Sequence, residues 1–265
     1  MEVLHQIGRT DVARLGATVA DSRFLLSYDE TAYRNHFRSK RESFLVTGNY
    51  IDFKTFYSPL GIVGDMMSKI EAVVVNKIPE TESKGSKKSL LKGLKEIENC
   101  ISADIIVVLN SNIVLEQFDF LSSDTNYKIA FPVLNVYRHG VHRFKIIKKL
   151  ADENRLDIRT EYYLYGLTNP AELSLYRNKL SSSVNSTLKA VITDKCYVDS
   201  AYLVNYSPSV GSPVHIPGPL EQGYEWEVQY VTFKLNDERM KSFANGNGGQ
   251  EILESYETGE LSWIM

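Results

Sequence analysis

A chain of 265 residues with 43% hydrophobic and 24% charged residues has the make-up of a globular fold, with material for one sizeable core. A net charge of −3 provides no global pull toward nucleic acid or an anionic membrane, and two cysteines, Cys100 and Cys196, are too few for a disulfide framework. No apolar run reaches the roughly 18 residues that a spanning helix needs, and Met1–Arg14 carries charges where a leader peptide needs an apolar stretch, so the chain reads as cytoplasmically made with reduced thiols.

In chain order, residues 1–55 have weak periodicity. Asp11–Leu15 and Thr31–Phe37 are candidate short helices, Ser43–Gly48 and Tyr50–Phe56 candidate short strands. Together they read as an arm or small subdomain. From Leu60 to Lys69 the apolar spacing predicts a helix. The β-branched run Glu71–Val75 then predicts a strand, and a polar loop from Glu80 follows. Leu90, Leu91, Leu94 and Ile97 predict a helix over Lys88–Cys100. Ile105–Leu109 is apolar without alternation, as in a strand covered on both faces. Lys128–Tyr137 reads as a strand interrupted by Pro132, Val141–Asn154 as a helix and Ile158–Leu164 as a strand. Thr168-Asn169-Pro170 starts a helix running to about Leu188, with a capping side chain before a first-turn proline. Cys196–Asn205 and Tyr224–Leu235 are predicted as closing strands. Four of the eight prolines, Pro208, Pro213, Pro217 and Pro219, lie in the loop between them. After a break at Asn245–Gly249, an acidic segment ends in Trp263-Ile264-Met265.

Chemistry-bearing patterns are sparse. Ser83–Ser89 joins a strand to a helix and carries lysines that suit a phosphate, but it lacks the Walker spacing and reads equally as a capped, solvated loop. His139 and His142 are two ligands short of a structural zinc set and fit a turn before a helix. Arg138, Arg143, Lys145, Lys148 and Lys149 form a basic face, either solvated or set against an acidic surface or passing nucleic acid. Asp199, Glu161, Glu225 and Glu227 are available carboxylates, but Glu225 and Glu227 alternate with Trp226 and Val228 as simple in–out patterning. No catalytic, metal or cofactor-binding set emerges. Trp263, Ile264 and Met265, with Pro213 and Pro217, are candidate interface residues, because an apolar tip beyond a glycine-rich break can dock on a neighbouring chain.

Several stretches carry a family resemblance: Leu60–Ile70 entering a strand, Phe131-Pro-Val-Leu-Asn-Val136, Ile158–Thr168 before a long helix with Glu172 early in it, and Tyr224–Phe233 after a long loop. In that order they resemble the tail-completion proteins (tail terminators or tail sheath stabilisers) of contractile-tailed bacteriophages, over roughly residues 57–235. The resemblance implies a ring-forming subunit without catalytic residues.

The resulting expectation is a mixed α/β core, a central mixed sheet flanked by helices, over residues 56–240. An N-terminal arm or subdomain, 1–55, and a C-terminal arm, 241–265, complete it. The expected function is a structural subunit of a virion tail or neck, self-associating into a ring beside other virion proteins, with no membrane and no sequence-specific nucleic acid as partner. The alternative is an α/β enzyme binding a nucleotide or sugar nucleotide at the carboxyl ends of Ala72–Val75 and Ile105–Leu109.

Overall fold

The computed structural model describes residues 1–7, 24–27, 44–49, 70–76, 84–99, 103–134, 143–167, 172–192 and 241–247. Its strands are β1 (Glu2–Ile7), β2 (Phe24–Ser27), β3 (Phe44–Asn49), β4 (Ile70–Asn76), β5 (Asp104–Val108), β6 (Lys128–Phe131), β7 (Tyr162–Leu167) and β8 (Leu188–Ile192). Between them run α1 (Lys84–Glu98), α2 (Val114–Asp124), α3 (Arg143–Asp152), α4 (Glu172–Lys179) and α5 (Ser182–Thr187). Each strand pairs in parallel with the next, and β1 pairs in parallel with β8, so the sheet closes into a barrel.

The expected α/β core with a helix-flanked sheet is present, and all its pairings are parallel. Closure abolishes the edges that an open sheet would expose. It also explains the uninterrupted apolar runs, since successive side chains point to opposite faces and both faces are covered. Ala72 and Val74 of β4, Ile106 and Val108 of β5, Ala130 of β6, Tyr163 of β7 and Val191 of β8 pack together as the barrel interior. Their alternates, among them Val73, Val75, Ile105, Val107, Ile129, Phe131, Tyr162, Leu164 and Leu188, face outward into a larger layer beneath the helices. Each such side chain fully removed from water contributes about 1.5–3 kcal/mol.

The outer layer takes Leu90, Leu94 and Ile97 from α1, Val114, Phe118 and Leu121 from α2, and Phe144, Ile147 and Leu150 from α3. Phe118 stacks on Phe131 with ring centroids 5.8 Å apart, and both lie 6.2 Å from Tyr162, fixing α2 over β6 and β7. α3 ends where Asn154 adopts φ +56°. The Asn154 and Arg155 amides donate to the carbonyls of Ala151 and Leu150, a Schellman arrangement with asparagine in the left-handed position.

Several expectations change. Strands β1, β2 and β3 make residues within 1–55 part of the barrel wall rather than an arm. Their runs are short, and only pairing with neighbours on both sides makes them strands. The helix expected to run to Leu188 breaks at Ser181, whose extended backbone and Oγ, accepting from the Val184 amide, start α5 afresh. α5 passes directly into β8, a strand that the sequence pattern does not announce between the expected helix end at Leu188 and the strand expected at Cys196. At the other end, Phe243 and Ala244 are buried in the outer core, so the region beginning at 241 starts inside the fold. The helices expected at 11–15, 31–37 and 60–69, the strands at 50–56, 196–205 and 224–235, and the tip at Trp263, Ile264 and Met265 lie outside the described residues.

Candidate functional site at the carboxyl ends of the strands

In a closed parallel barrel the loops leaving the carboxyl ends of the strands gather at one mouth, while the opposite end is a packed floor. At that mouth β4 ends in Asn76 and β7 carries Tyr165 on its interior face, packed against the barrel's inner cluster. The Asn76 Nδ2 donates to the Tyr165 Oη at 3.1 Å, bridging two strands above the apolar interior. In the β3–β4 register, Asn49 stands beside Asn76.

The β5–α2 connection is built tightly at the same mouth. The Leu109 amide donates to the Ala130 carbonyl and prolongs the β5–β6 pairing. Asn110 then turns the chain: its Oδ1 accepts from the Asn112 amide at 2.9 Å, its carbonyl accepts from Ile113, and its own amide donates to Gln117 Oε1 at 2.7 Å. Gln117 is wholly buried, so this amide–carboxamide bond is shielded from water.

β7 is irregular here. Leu164 pairs with Ala190 and Leu167 with Ile192, so Tyr165 and Gly166 together oppose one residue, Val191. That is a bulge, and Gly166 takes φ +71°, where a side chain would be strained. Bulges re-aim neighbouring side chains, and this one sits beside the phenol that meets Asn76.

Beneath the mouth lies a buried ion pair. Arg143, the first residue of α3, donates from Nε and Nη2 to the two carboxylate oxygens of Glu172 at 2.6 and 2.9 Å. Its Nη1 donates to the carbonyls of Phe131 (3.3 Å) and Tyr165 (2.8 Å). Tyr176 Oη donates to Glu172 Oε1 at 2.6 Å. Burial alone would lower the Arg143 pKa, but the Glu172 carboxylate overrides it and holds the guanidinium more firmly charged than usual. Burial, reinforced by Glu172, pushes the Tyr176 hydroxyl well up, so it stays a neutral donor.

Arg143 therefore does not belong to the expected basic face. It shares a helical face with Ile147 and Leu150, one and two turns on, and points inward with them. Lys145 and Lys149 are exposed, Lys149 facing Glu153 at 3.9 Å, and Lys148 pairs with Asp152 at 2.7 Å. Such lysines, two of them beside carboxylates four residues on, make an ordinary solvated face. Arg138, His139, His142, Pro213, Pro217, Asp199, Glu225 and Glu227 lie outside the described residues. Lys84–Ser89 of the candidate phosphate loop already belong to α1, and Lys87 Nζ sits 5.1 Å over the Phe120 ring. Among the described residues no three His, Cys, Asp or Glu side chains come together to hold a metal, and no helix is long and apolar enough to cross a membrane.

Glu161 lies at the barrel's other end. Lys128 bridges Asp104 (2.8 Å) and Glu161 (2.9 Å), and Lys189 bridges Glu2 (2.8 Å) and Glu161 (3.5 Å). Tyr163 Oη donates to Glu161 at 3.2 Å. Burial would raise the Glu161 pKa, but the Lys128 bond and the two lysine charges hold it low. Burial would lower Lys128, but Asp104 and Glu161 hold it high. This network closes the floor, where a barrel invests in stability. An adjacent cleft of 570 Å³ lies between the last turns of α1 and α2. On its rim Tyr127 is pushed up to about 12 by burial and by Glu98.

The residues that pattern reading missed are Asn76, Asn110, Gln117 and Tyr165. Only Asn76 and Asn110 had a signal, a polar residue directly after a fully apolar run.

No protein-family model matches the chain, and no curated protein matches it. Among solved structures it is similar to the tryptophan synthase α subunit of Legionella pneumophila strain Paris, with a TM-score of 0.42 and 10% identity over 77% of this chain and 82% of that one. The reading as a ring-forming virion tail or neck subunit is corrected by the fold. It rested on an order of elements about a mixed sheet with N- and C-terminal arms, whereas the sheet is parallel and closes, and residues 1–55 supply three of its strands.

Proposed function

We propose that the chain is an enzyme that takes a small polar ligand bearing an anionic group, of the nucleotide or sugar-nucleotide type, at the carboxyl-end mouth of the barrel. The observation that carries the reading is the Asn76–Tyr165 hydrogen bond, a donor–acceptor pair set over the apolar cluster that β4, β5, β6 and β8 turn into the interior. Ligand sites combine an apolar lining with a few placed polar groups of this kind. A carboxamide can orient a substrate oxygen, and a phenol can donate to charge developing on it. The rigid β5–α2 turn and the bulge on β7 flank the pair and supply fixed walls.

An anionic group finds support at the start of α1, the helix that follows β4. Its first turn has no acidic residue, so the positive end of the helix dipole is not offset by its own side chains. Lys88 is exposed on the next turn.

The test is a calorimetric or thermal-shift screen of the intact chain against nucleotides, sugar nucleotides and small phosphorylated acids. A ligand of this class is expected to bind, with the Asn76→Ala and Tyr165→Phe variants each weakening it about 5- to 100-fold, the equivalent of one or two lost hydrogen bonds. Binding that both variants leave unchanged would remove the mouth as the site.

A further inference from the structure

We propose that Arg143 is a positioning residue that latches the bases of two successive strand–helix connections and, through the second, sets the height of the Tyr165 phenol at the mouth. The proposal takes from the preceding section only that the mouth is the working face.

The connection from β6 to α3 leaves at Phe131 and arrives at Arg143 itself. Nη1 of that arginine returns to the Phe131 carbonyl at 3.3 Å. The connection from β7 to α4 leaves beyond Tyr165 and arrives at Glu172. The same Nη1 reaches the Tyr165 carbonyl at 2.8 Å, while Nε and Nη2 hold both oxygens of Glu172. One guanidinium thus meets both ends of both connections. Its flat fork of five donors suits this task, whereas a lysine ammonium offers a single compact centre.

The latch lies where the sheet is irregular. Across the bulge, Tyr165 and Gly166 share one opposing residue, so regular pairing with β8 is interrupted beside the functional side chain. The Tyr165 carbonyl accepts there from a charged donor, which makes a stronger bond than a neutral one. Arg143 and Glu172 are 1% and 5% exposed, so water does not compete for these contacts. Tyr176 orients the carboxylate from below. A guanidinium serving only charge balance or packing would need none of the carbonyl contacts.

The experiment places a fluorotyrosine at 165 in the full chain, with a second sample labelled at 163 as control, and reads each by fluorine NMR. Tyr163 is the neighbouring interior residue of the same strand, and its hydroxyl faces the floor network. The variants are Arg143→Met/Glu172→Leu, which removes both charges together, and Arg143→Lys, which keeps the charge and loses the fork. In both, the signal at 165 is expected to shift or broaden while that at 163 stays in place, and hydrogen exchange of amides 133–134 and 166–167 is expected to rise together. An unchanged signal at 165, equal changes at 165 and 163, or faster exchange in only one segment would overturn the latch. If the double variant does not fold, Arg143→Lys gives the same readouts. Ligand affinity in Tyr165→Phe is measured separately, so the latch can fail while the ligand site stands, and the reverse.

Discussion

Arg143→Met tests the buried pair most directly. The substitution keeps much of the side chain's bulk but removes the charge that Glu172, 5% exposed, depends on. Breaking a buried pair from one side costs about 3–5 kcal/mol, because the remaining charge stays desolvated without compensation. Adding Glu172→Leu removes that stranded carboxylate. The Phe131 and Tyr165 carbonyls and the Tyr176 hydroxyl still lose their present partners, so the double variant should retain a deficit of about 1–3 kcal/mol. The second mutation is therefore expected to restore stability to the first, by about 2 kcal/mol. Urea unfolding followed by far-UV circular dichroism, with slopes compared to confirm one transition, measures all four corners of the cycle. A loss below about 1 kcal/mol in Arg143→Met, or a double variant worse than either single one, would refute the reasoning.

Two further outcomes are expected. Leu164→Ala, at a wholly buried position in the outer layer, should cost about 2–5 kcal/mol in the same unfolding assay; a cost under 1 kcal/mol would mean that the β7–helix layer is loosely packed. The floor network should give stability a dependence on pH at both extremes. The Glu161 pKa is depressed in the fold, so its contribution is present above the ordinary carboxylate range, about 4.3, and is lost as pH falls through the lower folded value. The Lys128 pKa is raised, so its contribution is full below about 10.4 and is lost as pH rises through the higher folded value. Glu161→Gln should flatten the acid limb; an acid limb identical to the parent's would remove Glu161 as its source.

How far sequence reading reached depends on whether a pattern is local. The runs at 72–75 and 105–109 are apolar on both faces, and the strands Ile70–Asn76 and Asp104–Val108 appear there. The helix expected over Val141–Asn154 spans Arg143–Asp152, and its Phe144, Ile147 and Leu150 are buried at helical spacing. The same spacing argument puts Arg143 inward too, but its charge outweighed its position in the reading. α2 was overlooked although Val114, Phe118 and Leu121 recur at four- and three-residue steps. β8 was lost because no turn residue separates it from α5. Closure could not be read at all, since it rests on the pairing of β1 with β8, from opposite ends of the strand order. The mouth was only half legible for a related reason. Asn76 and Tyr165 are 89 positions apart, and neither spacing nor composition links them.

Tyr163 is the large ring among the fully buried residues of the inner cluster, and Ala130 is its partner in register on β6. The room for the ring is lent by the methyl opposite it, so the two positions share one allotment of space. Enlarging residue 130 alone would overfill the layer, whereas a bulkier 130 with a smaller 163 would keep its volume. A family of such barrels can therefore reshape the ground under the mouth by trading size between neighbouring strands, and the pair should drift together while each site alone looks immovable.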